Sequence, residues 1–230
     1  MKPLYVNRDA IISRIPEFWK IVLSQHSDFA NYVRAADFKY IDCIEEVKVQ
    51  WEYVDEFRII VKFKGIEDDF EAQTVTKTFK RQRVINDEID SENVDYEDDV
   101  EEGELLTSEP VDIKWPKKYQ HINPDLIKDK KSPEGKKNYR QGMKCLFGWF
   151  RWTGLRPGKE FPHGDSFATL FIDDLYPYCV KYFTEAQRDL EDENDDSDSD
   201  GNSSAHELDL PKDEEEDLES SSATKKRRLD

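Results

Sequence analysis

VKVQWEYVDEFRIIVKF, residues 47–63, is the stretch that decides the fold. Val47, Val49, Trp51 and Tyr53 alternate with Lys48, Gln50 and Glu52, and after Asp55-Glu56 the alternation returns at Phe57, Ile59, Val61 and Phe63. A period of two places one set of side chains on a buried face and the other in water, so each run reads as a half-buried strand. Beyond a turn at Gly65 to Asp69, Val75 to Arg81 reads as a third strand, rich in threonine, with its bases expected on the outer face. Val111, Ile113 and Trp115 suggest a fourth, stopped by Pro116. Four sequential strands with short connections predict an antiparallel meander, one face of which needs a cover of helices: an α+β domain.

Candidate covers lie on both sides. Leu4 to Ile15 is loosely helical, Pro16 to Arg34 is more strongly so with a break near Ser27-Asp28, and Asp37 to Ile44 suits a short helical turn. After the sheet, Lys117 to Asn138 is rich in proline and lysine and reads as an irregular loop. Met143 to Phe150 and Ser166 to Phe183 are dense in aromatics and predict two or three covering helices, the second bent at Pro177. Trp149, Phe150 and Trp152 are expected in the core rather than stacked on bases.

The formal charge of −18 is unevenly spread. Residues 189–230 carry 17 acids and 5 bases, and 87–104 carry 11 acids and no base. Both segments are expected to lie outside the packed domain, the first as an acidic tail and the second as an insertion between strands three and four. A chain this acidic repels DNA and attracts basic partners. No apolar run approaches the roughly 18 residues of a membrane span. Cys43, Cys145 and Cys179 are odd in number and form no CxxC pair, which predicts neither a disulfide framework nor a metal site.

No catalytic constellation emerges, and neither an enzyme nor a cofactor is predicted. His163 has no nucleophile or second histidine at a meaningful spacing. GLRPGK at 154–159 lacks the spacing and the hydroxyl of a phosphate-binding loop. Asp173 and Asp174 are adjacent, and neighbouring helical residues point about 100° apart, so they do not converge on one substrate. They read as an exposed acidic helix edge, either solvated or bound to a partner. Lys225, Lys226, Arg227 and Arg228 end the acidic tail and resemble a nuclear import signal.

IPEFWKIVLSQH (15–26), DLIKDKKSPEGKK (125–137), CLFGWFRW (145–152) and LFIDDLYPYCVKYFTEAQRDLEDE (170–193), followed by the acidic tail, resemble the nucleosome assembly protein/SET family, and most closely its fungal branch. The resemblance covers almost the whole chain. It implies a four-stranded "earmuff" domain over 16–188, preceded at 1–15 by the end of a long dimerisation helix and followed at 189–230 by a disordered tail. It implies a non-catalytic nuclear chaperone for core histones, with histones three and four ahead of two A and two B. It further implies a second role, binding and activating a fungal histone acetyltransferase, and a homodimer where the full N-terminal helix is present. Carried over by position, the histone-binding residues are Asp173 and Asp174, then Glu185, Asp189, Glu191, Asp192 and Glu193 at the root of the tail.

Overall fold

The hairpin at 47–63 forms as its alternation demands. In the computed structural model, which describes residues 2–84 and 103–195, β1 (Ile44–Trp51) and β2 (Glu56–Phe63) pair antiparallel with Val49 opposite Ile59 and Trp51 opposite Phe57. β3 (Gln73–Val84) continues the meander with Phe79 opposite Phe57, and β4 (Gly103–Ser108) closes it in the order β1-β2-β3-β4. Val47, Val49, Phe57, Ile59, Val61, Phe63, Val75 and Phe79 all fall on one buried face.

The fourth strand lies earlier than the sequence suggests. β4 is GELLTS, pairing with β3 from Phe79 to Val84, and Val111 to Trp115 form no ladder. The alternation there is real, since Ile113 and Trp115 are buried, but Pro110 has no N–H to offer a sheet. The neighbouring donors are already used: Ser108 N bonds Thr153 O at 3.0 Å and Val111 N bonds Phe150 O at 2.9 Å. Side chains finish the bare edge of β3. The Gln73 amide exchanges two hydrogen bonds with the backbone of Lys114, at 2.8 and 2.9 Å. Of the acidic stretch expected at 87–104, Gly103 and Glu104 open β4, and the remainder lies outside the described residues.

Lys77 corrects the expectation that the bases of β3 face out. It stands opposite Ile59 on the inner face, fully buried. Its Nζ donates to the carbonyls of Glu109 (3.1 Å), Phe150 (3.0 Å) and Trp152 (2.7 Å), three acceptors for the three donors of an ammonium. Burial pushes its pKa down to about 7, against the pull of Glu160. The lysine thus fastens the backbone at Glu109 and at Phe150 and Trp152, the end of the first aromatic burst, to β3.

The helical cover comes from both ends of the chain. α1 (Lys2–Ile12), α2 (Phe18–Gln25), α3 (Ser27–Tyr32) and α4 (Phe38–Ile41, after a single 3₁₀ turn at Ala35–Asp37) precede the sheet. α5 (Pro133–Met143), α6 (Leu146–Trp149), α7 (Gly164–Leu170) and α8 (Tyr176–Asp195) follow it. The expected irregular loop at 117–138 is therefore partly helical: a 3₁₀ turn covers Lys117–Ile122, and α5 begins at Pro133. Ser132 caps α5, its Oγ accepting from Gly135 N at 3.0 Å, with Pro133 at the first helical position where its missing N–H costs nothing.

Phe147 is ringed by Tyr40, Phe63, Phe70, Trp115 and Tyr119, and Trp149 by Phe79, Phe167 and Phe171, so both bursts of aromatics seat on the sheet. Trp149 Nε1 donates to Gly164 O at 3.1 Å. Asp37, fully buried, joins three elements: its carboxylate accepts from the Tyr119 hydroxyl (2.8 Å) and from the amides of Leu146 (3.1 Å) and Arg34 (3.2 Å). The three cysteines are buried and unbridged. Residues 1–192 form one compact unit; of the second, 193–230, the described residues are those that end α8. Among the described residues no helix is long and apolar enough to cross a membrane.

Candidate functional site

The acidic pair sits on an irregular turn, and Pro177 supplies the reason. Proline has no N–H for the bond to the residue four positions back, so the helical ladder cannot run evenly through it. Between α7 and α8 the chain widens into one π turn, Phe171–Leu175, in which Tyr176 N reaches back to Phe171 O. Phe171, Ile172 and Leu175 point into the core, and Asp173 and Asp174 point away from it. Such turns recur at functional positions because they re-aim side chains without ending the helix.

The two acids are not equivalent. Asp173 is exposed, and among the described residues it has no ion-pair partner. Asp174 is half-buried and committed. Its Oδ2 lies 3.1 Å from His26 Nε2, and its Oδ1 accepts from the Tyr182 hydroxyl at 2.6 Å. His26 is 5% exposed and occupies the break between α2 and α3. Its Nδ1 accepts from Phe29 N at 3.3 Å, capping α3, which places the ring proton on Nε2, facing Asp174. Burial, and then the bond to the Asp174 carboxylate, push the Tyr182 hydroxyl well above the usual tyrosine range, so it remains a donor. The sequence reading missed His26, although its position just before Ser27-Asp28 is where a capping residue belongs.

The π turn faces α3 across a cleft of about 390 Å³ lined by Asp28, Asn31, Tyr32, Ser166, Asp173 and Asp174, among others. Asp28 is the third acid and also went unread, because only packing brings α3 against α7. Glu185 and Asp189 lie farther along α8. Glu185 is 3.9 Å from Lys181, and Asp189 accepts from Gln25 Nε2 at 2.9 Å, which ties α8 to α2. Glu191, Asp192 and Glu193 fall in the last turns of α8, and their side chains, like the tail and Lys225 to Arg228, lie outside the described residues. The structure thus gathers Asp173, Asp174 and Asp28 around one concavity and leaves Glu185 and Asp189 on the helix beyond it.

α1 is clamped to the same junction. Tyr5 stacks on Trp51, the Arg8 guanidinium donates to Tyr176 O at 2.6 Å, and the Tyr176 hydroxyl donates to Asp9 at 2.6 Å. The opposite side of α1 leaves Val6 and Ile11 each 65% exposed.

No grouping of histidine, cysteine or carboxylates among the described residues could hold a metal ion. His163 is exposed at the left-handed turn before α7 and touches no nucleophile. The arrangement offers negative charge in a shallow cleft, suited to binding cationic side chains.

Comparison with known proteins agrees with this architecture. Vacuolar protein sorting-associated protein 75 of Saccharomyces cerevisiae is 56% identical over 230 residues, covering 94% of this chain and 82% of the relative. The chain belongs to the nucleosome assembly protein/SET family. Protein SET of Drosophila melanogaster is 27% identical over 198 residues, 84% of this chain and 64% of that protein. The crystal structure of the Vps75 histone chaperone superposes with a TM-score of 0.72 at 56% identity, covering 82% of this chain and 86% of that one. No protein-family model matches the chain. The four-stranded antiparallel sheet under helices is therefore this family's fold, as the resemblance implies.

Proposed function

We propose that this protein is a histone chaperone, binding core histones through the acidic cleft between α3 and the π turn and through the acidic run that follows α8. The observation that carries the reading is the grouping of Asp28, Asp173 and Asp174 around one concavity, in a chain 56% identical to a relative whose solved structure is that of a histone chaperone. No covalent step is needed. Exposed ion pairs contribute about 0–1 kcal/mol each, so useful affinity needs many of them, or a few partly shielded from water. The cleft supplies shielding. The charge of the 189–230 segment supplies long-range capture, screened beyond about 8 Å at physiological salt. Histones held on such acids are kept from non-productive contact with DNA.

The test is charge reversal of Asp28 and Asp173 together, compared with deletion of 196–230, with histone binding measured at low and at high salt. The proposal expects the cleft variant to lose more affinity than the deletion at high salt, where unshielded charge is screened. Loss confined to the deletion would remove the cleft from the mechanism.

The finer roles are carried by the resemblance: preference for histones three and four, nuclear import through Lys225 to Arg228, activation of a histone acetyltransferase, and a homodimer through the N-terminal helix. Exposed Val6 and Ile11 on α1 support the last. A pull-down of the acetyltransferase without histones separates an enzyme-binding subunit from a pure chaperone.

A further inference from the structure

Away from the acidic cleft, the molecule carries a groove of opposite sign. Lys136, Lys137 and Arg140 of α5 and Lys144 at its C-terminal cap, with Arg34 from the segment after α3, line a groove of about 480 Å³, and no carboxylate is among its lining residues. These four cations on and capping α5 are exposed, and among the described residues none is paired with an acid. Some exposed cations elsewhere do find partners, among them Lys39 with Asp69, Lys62 with Glu45, Lys114 with Glu71 and Arg151 with Asp125. Four exposed cations with no acid partner among the described residues thus share one groove of a protein whose net charge is −18.

The stripe is regular and held in place. Lys136, Arg140 and Lys144 recur every four residues, so their stems leave the helix at steps of about 6 Å along one face. An extended peptide with an acid at every second residue repeats its carboxylates at about 6.6 Å. α5 cannot shift freely beneath them. A Cβ at Gly135 would lie 1.8 Å from Asp129 O and one at Gly142 1.9 Å from Ile122 O, so both glycines are seated against backbone, and Arg34 donates to Gln141 O at 3.0 Å. A charged surface already in position loses little freedom on binding. Arg140 and Lys144 also line the adjoining groove, which has Trp152 and Phe161 among its walls and Arg156 and Lys159 at its rim. That groove offers an apolar residue a place beside the acidic stretch. Glu160 in its wall is occupied, accepting from the Thr153 and Gly154 amides at 2.7 and 2.9 Å, which leaves Glu104 and Asp165 as its remaining acids.

We propose that the α5 groove is a docking site for an extended, acidic segment of a partner protein, with alternating carboxylates on Lys136, Arg140 and Lys144 and an apolar side chain in the adjoining groove. The protein's overall field opposes a polyphosphate, which disfavours nucleic acid as the occupant. The site is separate from the acidic cleft: histones would occupy one surface while an acidic partner holds the other.

The experiment is fluorescence anisotropy of a labelled peptide of about twelve residues, alternating Asp and Ser and ending in Phe, titrated with the full chain at two salt concentrations. The groove variant is Lys136→Glu with Arg140→Glu and Lys144→Glu. The control is Lys48→Glu with Lys62→Glu and Lys114→Glu, which changes the net charge equally. Three exposed ion pairs predict an affinity loss on the order of tenfold to a hundredfold in the groove variant and little in the control. Circular dichroism and melting check that the variants are folded, and Lys136→Ala with Lys137→Ala, both at exposed positions, gives a milder second test with a smaller loss. Histone binding by the groove variant is expected to persist, which keeps this proposal distinct from the chaperone reading. No peptide binding by the unaltered chain, equal loss in the control, or displacement of the peptide by an oligonucleotide at lower concentration than by unlabelled peptide would each overturn it.

Discussion

Replacing Asp174 and replacing Asp173 are expected to have different consequences, although the two stand side by side in the sequence. Asp174→Ala removes the acceptor of both the His26 Nε2–H and the Tyr182 hydroxyl. Hydrogen bonds to a charged group contribute about 1.5–3 kcal/mol each, and His26 would be left buried with an unpaired donor. The Asp174 side chain is 36% exposed, so water replaces part of what is lost, and about 2 kcal/mol is the expected net cost. For a domain of this size that lowers Tm by about 4–8 °C. Asp173→Ala touches no such network and belongs with exposed substitutions, within about 0.5 kcal/mol of neutral. The assay is thermal unfolding of the full chain, followed by histone titration of the same samples. Asp173→Ala is expected to weaken histone binding up to about fivefold with Tm unchanged, one exposed ion pair's worth. Asp174→Asn, which keeps an oxygen for Tyr182, is expected to recover part of the stability. If Asp174→Ala melts with the unaltered chain, or Asp173→Ala melts as low as Asp174→Ala, the division between a binding acid and a bracing acid is wrong.

Lys77→Met keeps the apolar stem but strands three carbonyls, and a cost of about 2–4 kcal/mol is expected in urea unfolding. Because burial lowers the Lys77 pKa from 10.5 to about 7, the unfolded chain holds a proton the folded chain has released between those values. Stability of the unaltered chain therefore rises with pH across that interval, and unfolding of the methionine variant at pH 7 and pH 9 should lack that contribution. Asp69 gives the opposite limb. Burial alone would raise its pKa, but Lys39, the Lys118 amide and Tyr40 outweigh it and hold the carboxyl below its ordinary 3.8. Its stabilisation is complete above the unfolded value and lost as pH falls through the lowered one, so the stability gap between the unaltered chain and Asp69→Asn should close only below about pH 3.8 in acid unfolding curves. Gly142→Ala, whose Cβ would meet Ile122 O at 1.9 Å, is expected to cost at least about 1–3 kcal/mol in thermal unfolding, because the obstacle is backbone.

Local pattern carried the hairpin, the aromatic cover and the acidic pair. A period of two at 47–63 has one sheet-forming solution with its apolar side chains on one face. The aromatics of 147–183 had to be buried somewhere, and the sheet needed a cover. The family was legible as well, because its sequence blocks persist through most of the chain. What pattern could not carry was where donors and acceptors end up. Residues 111–115 alternate like a strand, yet their neighbours' N–H groups are taken by 150–153 and Pro110 breaks the ladder. Lys77 reads as an outward base and becomes an inward anchor, because carbonyls from two distant loops converge on it. Asp173 and Asp174 read as a matched pair, and only the packing of His26 and Tyr182 against one of them makes them different. The basic stripe of α5 reads as part of a lysine-rich loop until Ser132 caps it into a helix. Secondary structure follows from the chain's own repeat. The fate of each polar group depends on partners far away in sequence, and only the folded molecule brings those together.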